Sequence, residues 1–191
     1  MPKRTLLAAA ALLATPLPAF AHLNPAEHGS LLAGVSHPLT GLDHIAVMVL
    51  VGVWAATFGR TARFAIPAAF VVMMLVGFGL AMAGVALPFV EPTVLASVVA
   101  IGLLVALAVR VPAMGAAAIV GIFAIFHGHA HGSELGTAGA LSYACGFAAA
   151  TAVLHGAGVW IGSVAVRHAQ PVAIRAAGLV GVATGLALFV S

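Results

Sequence analysis

Six times between residues 39 and 190 the chain runs apolar for about the length of a membrane-crossing helix, then breaks at a short polar or proline-bearing turn. The runs fall at 39–58, 65–87, 93–109, 112–131, 138–162 and 172–190. The breaks are Gly59-Arg60, the segment from Pro88 to Pro92, Arg110-Val111-Pro112, a His/Gly cluster from His127 to Gly136, and the segment from Arg167 to Pro171. A hydrocarbon core about 30 Å thick takes roughly 20 residues of helix and offers no partner to an exposed backbone amide, so helix is the state such runs can hold there. With 63% of its residues hydrophobic and 6% charged, the chain cannot clothe a soluble domain. We expect an all-α integral membrane protein of six transmembrane helices, with the lipid bilayer as its surroundings.

The start of the chain, MPKRTLLAAAALLATPLPAFAH, follows another rule. Lys3 and Arg4 form a basic segment, residues 6–14 an apolar run too short to span, and Ala19-Phe20-Ala21 a small-residue cleavage pattern. Residues 1–21 are expected to be a cleavable signal peptide, and residues 22–191 a six-helix transmembrane domain. Cys145 is the single cysteine, which excludes a disulfide framework or a cysteine-rich metal site within one chain. Lys3 is the only lysine, so no phosphate-binding loop of the Gly-x-x-x-x-Gly-Lys type exists and ATP-driven work would need a partner.

Charge placement gives the orientation. Arg60, Arg63, Arg110, Arg167 and Arg175 all fall on one side of the six runs, whereas Glu27, Glu91, Glu134, His22, His28 and the cluster His127, His129 and His131 fall on the other. The positive-inside rule makes the arginine side cytoplasmic, in agreement with an exported N-terminus. The expected protein is multi-pass, with the mature N-terminus on the side away from the cytoplasm. The high isoelectric point is a matter of topology, and no nucleic-acid partner is expected.

Polar residues inside this frame need a use, because a charge in hydrocarbon is costly unless it is paired or liganded. His44 stands 16 residues before Arg60 and His127 stands 17 after Arg110, so with a helical rise of 1.5 Å both lie roughly 25 Å from the arginine side. His127 and His131 share one helix face at i and i+4, with Glu134 three residues on, an arrangement that can hold one metal ion. His129 points elsewhere if that helix continues; Gly128, Gly132 and Gly136 argue for a break, or for another backbone lying close. His37 precedes Pro38 and reads as the last loop residue before the first span. On a straight helix it would lie about 10 Å from His44, so the two share an ion only if the preceding segment folds back. Asp43 either ligates or orients His44. Glu91 reads equally as an outer-loop carboxylate and as a ligand.

Structural readings stand beside these. His155, midway along the fifth run, reads as a helix-to-helix hydrogen bond or as a relay on an inward path, and the first reading is preferred. His168 reads as a solvated loop residue, and the methionines at 48, 73, 74, 82 and 114 as packing. Imidazole and carboxylate without thiolate suit Ni(II), Co(II), Zn(II), Fe(II) or Cu(II).

The stretch HPLTGLDHIAVMVLVGVWAA, in which a histidine is followed after five residues by Asp-His, together with FHGHAHGSE, resembles the HupE/UreJ family of hydrogenase and urease accessory membrane proteins. The likeness covers the mature chain, its signal peptide and its six-span layout. It implies a nickel permease of the bacterial inner membrane, its mature N-terminus in the periplasm, that takes up Ni(II), with Co(II) as a second ion, to supply hydrogenase or urease, with no organic cofactor. The motif residues carry over onto His37, Asp43, His44, His127, His131 and Glu134, while His129 fills a variable position. We expect metal to be caught first by the mature N-terminus through His22, Glu27 and His28, passed to a site between the first and fourth spans, and released inward. Neutral imidazole is the ligand form, so affinity should weaken as pH falls through the histidine range. The chief rival is a membrane-embedded metal-dependent hydrolase with Glu134 or Asp43 as base. A haem-binding electron carrier using opposed histidines such as His44 and His127 is a third reading.

Overall fold

A computed structural model describes residues 30–135 and 139–190, and its regular elements are all helices. They are α1 Leu31–Thr40, α2 Leu42–Ala55, α3 Ala62–Met82, α4 Val90–Ala106, α5 Ala113–Glu134, α6 Ala140–Arg167 and α7 Pro171–Phe189. The expected signal peptide, His22, Glu27 and His28 lie outside the described residues, as does the side chain of Glu134.

The apolar runs and the helices α2 to α7 correspond in order, within a few residues at each end. Four helices, α3, α5, α6 and α7, are long and apolar enough to cross a membrane singly. Helix α2 has 14 residues and qualifies only when joined to α1, across a bend of 83°. Helix α4 has 17 residues and is apolar but shorter. The chain is a multi-pass membrane protein with four such spans, or five if the bent pair counts as one.

Helix α1 is the element that the apolar pattern does not display. Its N-cap is Ser30, whose Oγ accepts a hydrogen bond from the Ala33 amide at 2.9 Å and so satisfies one of the four orphan donors at a helix start. Pro38 sits inside it, and the helix ends two residues later at Thr40. Gly41, with φ −86° and ψ 120°, separates α1 from α2.

Packing is inside-out relative to a soluble protein. Large apolar side chains such as Phe64, Val72, Trp160, Val172 and Leu179 are exposed on the outer faces, where lipid would meet them, while His44, Ser97, His127, His131, Thr151 and His155 are buried within. Helix α3 packs along α5, α4 along α7, and both α1 and α2 along α6. Small residues bring these pairs together. A Cβ at Gly77 would meet the carbonyl oxygen of Ile125, and one at Gly128 that of Met74, so α3 and α5 touch backbone to backbone. The close approach read from the glycines of the His/Gly cluster is thus present at Gly128, and α5 continues unbroken through it.

Candidate metal centre

Three segments far apart in sequence bring imidazoles to one point. Helix α1 is held against α6 by a reciprocal fit at Gly34 and Gly146, whose Cβ atoms would strike the carbonyl oxygens of Tyr143 and Leu31. The bend at Gly41 then turns His37 back toward α2. The His37 and His44 ring centroids are 5.5 Å apart, in place of the much larger separation of a straight helix. His37 is helical, not a loop residue: Pro38 costs α1 one backbone hydrogen bond, and a helix that ends at Thr40 tolerates that loss near its last turn.

His131 of α5 completes the group. Its Nε2 lies 2.7 Å from Nε2 of His44, and its ring centroid lies 4.3 Å from that of His37. One ligand nitrogen from each of His37, His44 and His131 falls within 4.8 Å of the others. Coordination with metal–nitrogen bonds of 2.0–2.1 Å places neighbouring donors roughly 2.9–3.4 Å apart, so a small opening of the His44–His131 pair and a closing of His37 would seat an ion. His44 is oriented from behind, with Nδ1 2.9 Å from Oδ1 of Asp43, although the contact lies off hydrogen-bond alignment. An Nδ1 proton facing that carboxylate makes Nε2 of His44 the acceptor and Nε2–H of His131 the donor, and an ion would take the place of that proton.

His127 is beside this group without belonging to it. Its ring is 5.3 Å from that of His44, yet its Nε2 is 2.9 Å from Oγ of Ser97 on α4, and both residues are fully buried. Ser97 was not legible as a partner, since a lone serine in an apolar run carries no spacing signal; its Oγ also donates to Val94 O. That leaves the hydroxyl oxygen to accept from Nε2–H of His127. His129 faces away, with Nε2 2.7 Å from the carbonyl oxygen of Val85, which it ties down as a donor. Glu91, exposed in the first turn of α4, is not among the grouped ligands.

His155 makes no hydrogen bond to a neighbouring helix among the described residues. Both ring nitrogens are buried without a partner, and the ring packs edge-on against Phe70 at 4.9 Å, with His127 5.7 Å beyond on the same phenyl ring. Gly158, one turn on, packs closely on α2, where a Cβ would meet the carbonyl oxygen of Val49.

Aromatic rings enclose the three histidines. Phe147 of α6 stands 4.8 Å from His131 and 6.2 Å from His44, and Tyr143 stands 6.3 Å from His37. Phe78 of α3 stacks on Tyr143 at 6.2 Å. A low-dielectric wall of this kind strengthens any ion–ligand interaction inside it.

The model of the family described as HupE / UreJ protein matches residues 10–188 of this chain. A relative named Protein HupE, from Rhizobium leguminosarum bv. viciae, is 45% identical over 181 residues, covering 94% of this chain and 95% of its own length. No solved structure matches.

Proposed function

The chain belongs to the HupE/UreJ family, and we propose that it is a permease that carries Ni(II), with Co(II) as a second cargo, across the bacterial inner membrane for hydrogenase or urease. The observation that carries this reading is the convergence of His37, His44 and His131 from α1, α2 and α5, with His44 and His131 buried and His37 half-buried among apolar helices. A trio of imidazoles gathered among membrane-crossing helices calls for a cation. The choice of nickel comes from the family likeness, and nitrogen donors without thiolate suit it.

In the proposed path, cleavage before His22 frees a periplasmic N-terminus in which His22, Glu27 and His28 form a labile first site. The ion then binds His37, His44 and His131, with Asp43 orienting His44. Glu134, at the end of α5, stands at the mouth, Glu91 on the same side helps to draw cations in, and His127 is the next imidazole inward. Six spans complete the proposal, with the α1–α2 pair as the first and α4 as a short third.

Uptake into proteoliposomes tests it, with Ni(II), Co(II) and Zn(II) compared in parallel. The expected result is saturable Ni(II) entry that His44→Ala and His131→Ala abolish. Stoichiometric metal binding without entry of any of the three ions would overturn transport, and would favour the hydrolase that the same three imidazoles could serve.

A further inference from the structure

The arginine end of the molecule has cations without anions. The four acidic residues are Glu27, Asp43, Glu91 and Glu134, none of them in the turns that carry Arg60, Arg63, Arg110, Arg167 and Arg175. The ion pair between Asp43 and His44 is at the opposite end, and no arginine makes one among the described residues. Arg63 goes further: its Nε is buried and has no hydrogen-bond partner. A buried guanidinium N–H left in that state calls for an acceptor from outside the chain.

Arg63 and Arg167 meet at one place. Together with Ser163 they line a small pocket at the end of the seam between α3 and α6. From that pocket an apolar groove of about 500 Å³ runs along the seam, with Arg63 and Ser163 at one end and His155 at the other. Phe64 and Pro67 form its α3 wall and Gly156 and Trp160 its α6 wall. Phe64 and Trp160 are about two-thirds exposed, and a Cβ at Gly156 would meet nothing within 4 Å, so the glycine leaves room in the groove. From Arg167 to His155 is 12 residues of α6, or roughly 18 Å, close to the depth of one bilayer leaflet.

We propose that this seam binds one anionic phospholipid, its phosphate held by Arg63 and Arg167 with the Ser163 hydroxyl, and one acyl chain laid along Phe64, Pro67, Gly156 and Trp160. Guanidinium groups grip phosphate through paired, charge-assisted hydrogen bonds. With no carboxylate nearby to hold a choline or ethanolamine cation, the pocket prefers a headgroup of net negative charge. The occupant is a lipid and not a soluble phosphate, because most of the groove wall is apolar and open toward the bilayer. The inference does not depend on which metal the protein carries.

Trp160 is the reporter. In a W54F background it is the sole indole, and quenching by brominated phosphatidylglycerol can be compared with brominated phosphatidylcholine, each titrated into phosphatidylcholine vesicles. Half-quenching is expected at about 30-fold lower mole fraction for phosphatidylglycerol, in line with about 1 kcal/mol for each of the two arginines at a lipid surface. In R63Q/R167Q the two lipids should become equal, and G156L, whose side chain would enter the groove from a position where a Cβ has free space, should reduce the preference. Equal quenching in the parent, or a preference that survives R63Q/R167Q, overturns the proposal. Should that double variant fail to insert, an undiminished preference in G156L overturns it equally.

Discussion

At the scale of single residues the histidines divide by what their nitrogens touch. His37, His44 and His131 face one another, His127 faces Ser97, His129 faces a backbone carbonyl, and His155 has no hydrogen-bond partner among the described residues. Alanine at His37, His44 or His131 should therefore abolish high-affinity metal binding measured by calorimetry on the purified protein, whereas His129→Ala should lower the melting temperature and leave stoichiometry unchanged. His155→Leu is the sharper experiment. A buried polar group without partners costs roughly 1–3 kcal/mol, so leucine should raise thermal stability in detergent by about 1 kcal/mol with uptake retained. Loss of uptake in a protein so stabilised would make His155 a station on the ion's path. The two motifs and the family they indicate were legible in the sequence, because ligand spacing on a helix is a local property. The split between His127 and His131 was not. Both lie on the same face, and the difference is made by Ser97, 30 residues away on another helix.

Among the elements, six of the seven helices were legible to within a few residues, since composition alone marks a run that must avoid water. Helix α1 was not, although Ser30 is a good cap and the Leu-Leu-Ala that follows could open a helix. Pro38, near the end of the segment, argued for loop. The bend after it has a testable dependence on Gly41. A Cβ there would stand 2.8 Å from Oδ1 of Asp43 and 2.9 Å from Nδ1 of His44, while the backbone itself is in a region open to any residue. Gly41→Val should displace the carboxylate from the imidazole it orients and weaken Ni(II) binding about 10–100-fold, the usual cost of losing an outer-shell partner. Helix content by circular dichroism should be unchanged. Wild-type affinity in Gly41→Val would mean that Asp43 does not orient the ligand.

For the whole molecule, the arginines gathered on one side of the apolar runs lead by the positive-inside rule to an expected orientation, with their turns in the cytoplasm. Reporter fusions should place residues 62 and 168 in the cytoplasm and residue 90 outside; the reverse result would put the histidine cluster on the wrong face for uptake. The placement of α1 against α6 could not be read in the same way, since Gly34 and Gly146 are two among 22 glycines and only their meeting gives them meaning. Bringing His37 and His44 to His131 gives a bound ion the character of a crosslink. It would fasten residues 87 positions apart in the chain, and it would do so across the one joint where a helix pair is bent by 83°. A ligand that binds only the closed arrangement stabilises it by mass action, about 2.7 kcal/mol at a hundredfold excess over Kd. Ni(II) at that level should protect Leu31–Thr40 from proteolysis while the cuts in other connecting segments proceed at their metal-free rate. The joint would then be a clasp, held shut by a bound ion and loosened when the ion leaves.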